Sequence, residues 1–169
     1  MQKKKIRQLT RGALVAALYV VLTYAQNILF PESANMAVQF RAAEALCVLA
    51  LFTPDAIWGL GIGCLLFNIS YAGALPLDFI IGPAASCLAA LFMWHTRKIK
   101  VFGYPFLAMC MPAMFNGLFV GWELKLYIGG GFWFNFICVT LGELGVLFTL
   151  GSVLYYALRK TPLFRDGNG

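Results

Sequence analysis

Charge is scarce in this chain. Asp, Glu, Lys and Arg make up 12% of the 169 residues and hydrophobic side chains 61%, where a soluble domain carries roughly a quarter charged residues. A water-soluble globular fold is therefore excluded, and no polar stretch is long enough to form a separate soluble domain. Acids number seven and histidine one. A histidine-built metal centre is excluded, and the lone His95, beside Arg97 at the end of an apolar run, argues little for a proton relay. The five cysteines (Cys47, Cys64, Cys87, Cys110 and Cys138) lie in apolar runs with no CxxC spacing, so they read as small buried hydrophobes and not as metal ligands or disulfide partners. No phosphate-cradling loop ending in Lys-Ser/Thr and no catalytic triad is present. ATP hydrolysis by this chain is thereby excluded, and neither a metal nor a cofactor is expected. Gly59, Gly61 and Gly63 superficially match a dinucleotide loop, but no strand precedes them and close helix packing accounts for them.

What is abundant is apolar sequence, with a mean hydropathy of +0.78. The chain reads as an all-α integral membrane protein with a single membrane domain over 1–169, multi-pass in the cell membrane. Six segments are bounded by polar residues, Pro or Gly: about 10–30, 42–52, 55–70, 77–94, 104–122 and 132–158. They predict a six-transmembrane-helix bundle, since a span uses about 20 apolar residues. The basic head before the first segment resembles a signal peptide, but no small-residue cleavage site precedes a polar region, which favours a retained helix.

The net charge of +6 does not point to nucleic acid, because the basic residues gather at the termini and in "HTRKIK" and form no stripe along one face. Topology explains them. With the N-terminus in the cytoplasm, Lys3, Lys4, Lys5, Arg7, Arg11, Arg97, Lys98, Lys100, Arg159, Lys160 and Arg165 fall inside, and only Arg41 and Lys125 outside. The positive-inside rule then predicts an even number of spans with both termini cytoplasmic. Acids distribute the other way: Glu32, Glu44, Asp78 and Glu123 fall at or near outer ends, and Glu143 lies within the sixth segment. An outward pocket lined by carboxylates is the expectation.

Glu143 is the most informative of these, because an acid near the middle of a span costs about 2.5–3.5 kcal/mol on insertion scales. At helical spacing Phe136, Thr140 and Glu143 share a face, which would turn a ring, a hydroxyl and a carboxylate into one cavity; the alternative is a Glu bonded internally. Asn116 and Glu123, seven apart, share a side of the fifth segment above Pro112, a residue that frees a backbone carbonyl one turn back. Glu123 also admits a looser pairing with Lys125 at the surface. Asp78 is either a site carboxylate or a helix cap, and Asn68 either binds a ligand or bonds a neighbouring helix. Trp133, between Phe132 and Phe134, suits an interfacial belt or a stacking surface. Arg41 and Glu44, three apart, can pair along one helix face and could fix a closing loop over Pro31–Gln39. Ala13 and Ala17 form a small-xxx-small step with Gly12 and Ala16 beside it, which admits close approach of another helix.

Taken in order, "QFRAAEAL", "GLGIGCLLFN", "DFIIGPAAS", "FNGLFVGWEL", "FW" and "LGEL" resemble the QueT-type family from the first helix to about Lys160. Those are queuosine-precursor transporters, the substrate-binding S components of energy-coupling factor (ECF) importers. The resemblance implies a six-helix bundle that captures a 7-deazaguanine such as queuine or its aminomethyl precursor from outside. It also implies that the Ala13/Ala17 stripe docks on a transmembrane coupling subunit driven by two cytoplasmic ATPases. A guanine-like ring offers adjacent N–H donors to a carboxylate and a flat face to aromatics. Glu143 is accordingly assigned to the amine edge, Asn116 and Asn68 to other ring heteroatoms, and Glu123, Glu44 or Asp78 to the substituent, with Phe136 and Trp133 as aromatic surface. The rivals are a stand-alone proton-coupled carrier using Glu143 and Asp78 and, further off, a small membrane enzyme.

Overall fold

A computed structural model of the chain describes residues 2–31 and 40–161. Most of the expected closing loop, residues 32–39, therefore lies outside the described residues. The first helix, α1 (Gln2–Leu29), begins well ahead of the apolar run and takes in the basic head. After it come a 3₁₀ helix (Ala42–Leu51), α2 (Asp55–Ser70), α3 (Asp78–Thr96) and α4 (Phe106–Tyr127). A last run is continuous from Phe132 to Arg159. It comprises α5 (Phe132–Val146), a π turn (Leu147–Gly151) and α6 (Ser152–Arg159).

The six apolar segments are thus all helical, but they are not equivalent. Four helical runs are long and apolar enough to cross a membrane: Gln2–Leu29, Asp78–Thr96, Phe106–Tyr127 and Phe132–Arg159. The 3₁₀ helix has ten residues, which at about 2.0 Å per residue reach only about 20 Å of a hydrocarbon core about 30 Å thick. At 16 residues, α2 reaches about 24 Å. A segment apolar on every side must be buried on every side, and from Ala43 to Leu51 each residue of the 3₁₀ helix is. It packs against α1 to α6 and the π turn. Around this central rod, α1 packs on α2, α2 on α3, α3 on α4 and α4 on α5, so the long helices form an arc.

Lipid is as apolar as a leucine side chain, so these contacts rest on close approach and not on hydrophobic burial. The glycines supply it. A Cβ on Gly59 would stand 2.6 Å from the Gly12 carbonyl oxygen, so α1 and α2 can meet here only with glycine in place. The spacing of Gly59, Gly61 and Gly63 sets the first and last against α1 and the middle one against Cys87 of α3, as helix packing requires.

The two ends of the bundle differ in charge. Where α3 and α6 end and α4 begins, Arg97, Lys98, Lys100 and Arg159 surround one cavity. The opposite end carries Arg41, Asp78 and Glu123.

Candidate functional site

Arg41 is the residue on which the site is centred. It sits in extended backbone, at φ −107° and ψ 94°, just before the 3₁₀ helix. Gln26 of α1 holds that backbone from both sides, because its amide donates to the Phe40 carbonyl and accepts from the Ala42 N–H at 2.6 Å. The Arg41 side chain is thereby presented to two adjoining cavities, whose linings share Arg41 and Asp78.

The larger cavity, about 220 Å³, is lined by Arg41, Asp78 and, on α4, Val120, Glu123 and Leu124, with Gly73 and Leu75 from the α2–α3 connection. Glu123 is fully buried, and neither of its carboxylate oxygens has a hydrogen-bond partner among the described residues. Asp78 and Arg41 are the charged groups that act on it. Lys125 is exposed, so the expected surface pairing with Glu123 is absent. Asp78 is the first residue of α3; its Oδ2 accepts from the Leu75 N–H ahead of the helix at 2.8 Å, and its carboxyl group lies within hydrogen-bonding reach of Glu123.

The smaller cavity, about 10 Å³, has room for about one water. Tyr19 and Thr23 of α1 and Phe67, Asn68 and Tyr71 form most of its wall. Phe67 and Tyr71 stack with centroids 5.1 Å apart and planes 19° from parallel. Asn68 donates to the Asp78 carbonyl at 2.6 Å, so it ties α2 to α3 while lining the crevice.

The other acids are already occupied. Glu44 accepts from the Tyr19 hydroxyl at 2.8 Å and from the Cys47 thiol at 3.2 Å. It therefore does not pair with Arg41 as expected, and it lines neither cavity, because the helix turns it towards α1 while Arg41 stays in extended backbone. Glu143 accepts from Asn116 Nδ2 on both oxygens, at 2.8 and 2.9 Å. Each of the two is buried. Asn116 sits about one turn below Val120, and its own Oδ1 has no partner among the described residues. This acceptor is the open valence of an otherwise closed pair.

Two aromatic positions lie away from both cavities. Trp133 is 69% exposed and lines neither cavity. Phe136 and Thr140 face Gly117 and Gly121 of α4, and Thr140 donates to the Ala113 carbonyl at 3.3 Å. The face shared by Phe136, Thr140 and Glu143 is real, but it is consumed by the α4–α5 contact. The small-residue stripe divides as well. Gly12 and Ala16 are buried against α2, where Trp58, Gly59 and Gly63 meet them, and Ala13 and Ala17 face outward.

The sequence model of the QueT transporter family matches residues 9–160. The chain belongs to that family. It is also 28% identical over 172 residues, 95% of its own length and 96% of the other's, to the "Queuosine precursor transporter QueT" of Lactococcus lactis subsp. cremoris (strain MG1363). No solved structure matches it. The match covers every residue of the two cavities, so the geometry described belongs to the region that defines the QueT family. The family is one of transporters, and its long apolar helices make this QueT-family chain a membrane protein.

Tyr19, Gln26, Phe67 and Tyr71 were not singled out from sequence. The Phe67/Tyr71 pair had a signal, two rings at i and i+4 flanking Asn68 near a helix end. Gln26 had none, because its role depends on backbone brought to it from sixteen residues on.

Proposed function

We propose that this chain is the membrane-embedded capture subunit of an ECF-type importer and that its ligand is a queuosine precursor, a 7-deazaguanine. It would work as a six-span unit in the cell membrane with both termini cytoplasmic, its Arg41/Asp78/Glu123 end outward and its basic end inward. The observation that carries this reading is Glu123, a buried carboxyl group that meets no N–H donor among the described residues, only the neighbouring Asp78 carboxyl, on a cavity of about 220 Å³. Such a group demands a donor. The Lactococcus relative, a queuosine precursor transporter, supplies the class of guest.

Two acids and one arginine leave the cavity with a net negative charge when all three are ionised, which favours a cation. An aminomethyl substituent on the base provides one, and Glu123 with Asp78 would receive it. The volume lies below the roughly 300–1,000 Å³ of drug-sized sites, in keeping with a small bicyclic ligand. The stacking role first assigned to Trp133 and Phe136 would pass to Phe67 and Tyr71, with the adjoining crevice, now wide enough for about one water, opening around the base. Asn116 Oδ1 would accept from a ring N–H, and Glu143, held by Asn116, would orient that amide. Glu44 would act one step back, holding Tyr19 in the crevice wall.

Transport energy would come from partners, a transmembrane coupling subunit and two cytoplasmic ATPases, with Ala13 and Ala17 as the docking step. Mass spectrometry of the small molecule retained through gentle purification, followed by titration with 7-deazaguanines, tests the capture role. Retention of such a base supports it, and absence of binding to any of them removes it. Uptake that persists in cells lacking every coupling subunit and follows the proton gradient would remove the ECF assignment.

A further inference from the structure

A second cavity of chemical interest lies at the other end of the molecule, about 420 Å³ in volume. Arg97, Lys98 and Lys100 from the α3–α4 connection and Arg159 from the end of α6 line it, and no carboxylate among the described residues does. Four cations around one space repel one another unless an anion lies between them. Leu51, Phe52, Pro105 and Tyr155 complete the wall. We infer that this cavity binds the phosphate headgroup of an anionic phospholipid.

The connecting segment is built for that place. Lys98 and Lys100 turn into the cavity, and the alternating residues Ile99 and Val101 are 52% and 53% exposed. The segment thus presents both cations to the cavity and apolar side chains to its surroundings. Val101 and Tyr104 then pair through both backbone bonds, at 2.9 and 3.0 Å, around a two-residue turn with φ +50° at Phe102 and +79° at Gly103. Phe102 is fully exposed at its tip. A strained position for a bulky residue, held outward and touching nothing, is unfavourable in water and favourable among acyl chains. The Tyr104 hydroxyl lies 2.6 Å from Ser152 Oγ and ties the turn to α6. Arg97 is likewise fixed, its guanidinium 3.3 Å from the Trp94 ring centroid.

Depth and ligand class follow. Three membrane-length helical runs begin or end at this cavity, which sets it at headgroup level. Basic pockets between spans suit anionic headgroups. A free phosphate would satisfy the four cations but leave the exposed Ile99–Phe102 edge without a role, whereas a phospholipid uses both.

The test is native mass spectrometry of the full-length protein released from nanodiscs of phosphatidylcholine doped with phosphatidylglycerol. The wild type is expected to retain phosphatidylglycerol at least about tenfold over phosphatidylcholine, and Lys98→Gln/Lys100→Gln/Arg159→Gln to lose that preference, since each basic group contributes comparably at the membrane surface. Lys3→Gln/Lys4→Gln/Lys5→Gln removes the same charge from α1 and is expected to retain it. Circular dichroism and gel filtration establish that both variants are folded. Equal retention of the two lipids, an unchanged preference in the cavity variant, or an equal loss in the α1 variant each overturns the inference. So does binding of inorganic phosphate in neutral micelles with the same sensitivity to the cavity variant, which would make the site one for a free anion. A variant that keeps its lipid but no longer assembles with coupling subunits overturns it in favour of a protein contact.

Discussion

Replacing Glu123 by Gln should make the protein more stable and a worse receptor at once. The side chain is fully buried with both oxygens unpartnered, and an unsatisfied buried polar group costs about 1–3 kcal/mol, more when charged. Gln keeps the shape, removes the acid, and offers an N–H to the adjacent Asp78 carboxylate. At about 2–4 °C per kcal/mol for a chain of this size, the ligand-free variant is expected to melt about 2–12 °C higher in detergent. Binding should move the other way. A hydrogen bond to a charged group is worth about 1.5–3 kcal/mol, so affinity for an aminomethyl-7-deazaguanine should fall by about 10- to 150-fold. A neutral nitrile analogue of the same ring should lose less than about threefold, because it brings no cation to the carboxylate. Isothermal titration with the two bases and a thermal-unfolding series measure all three quantities. Equal weakening of both ligands, or a lower melting temperature, would refute the reasoning, since the first makes Glu123 a general packing residue and the second means its carboxylate is already satisfied.

Asn116→Leu leaves the buried Glu143 carboxylate without its two donors and should lower stability by about 1.5–3 kcal/mol, read by thermal unfolding. Gln26→Leu frees the Phe40 carbonyl and the Ala42 N–H; hydrogen exchange at Ala42 should accelerate and ligand affinity drop, although Gln26 lines neither of the two cavities that share Arg41. A bulky side chain separates the two halves of the small-residue stripe: Ala17→Trp should preserve folding and ligand binding while abolishing co-purification with a coupling subunit. Gly12→Ala, whose Cβ would overlap the Trp58 ring, should lower the melting temperature.

The helical segments were readable because each is an apolar run broken by Pro, Gly or charge, and the boundaries of α2 and of the final run follow those breaks closely. The 3₁₀ conformation of Ala42–Leu51 was not readable. Its composition suits an ordinary span, and only its place at the centre of the arc, buried on every side, sets it apart. Glu143 illustrates the limit for the site. Its cost in lipid follows from sequence, but whether a ligand or a neighbour meets that cost depends on Asn116, which lies on the same-numbered face of a different helix and donates to both oxygens. Glu123 shows the reverse, for its sequence left a site carboxylate and a surface partner of Lys125 equally open, and packing buries it on the cavity.

Composition and the spacing of charge alone therefore determine that this is an apolar helical chain with acids and bases segregated to opposite ends, because lipid excludes unpaired charge from any run that contacts it. Which acid faces a cavity without a donor, which aromatic pair walls the adjoining crevice, and which small residues remain outward were decided only by tertiary packing. The physical reason is that a hydrogen bond consumes a donor wherever one comes within about 3 Å, and that distance is set between helices and not along them.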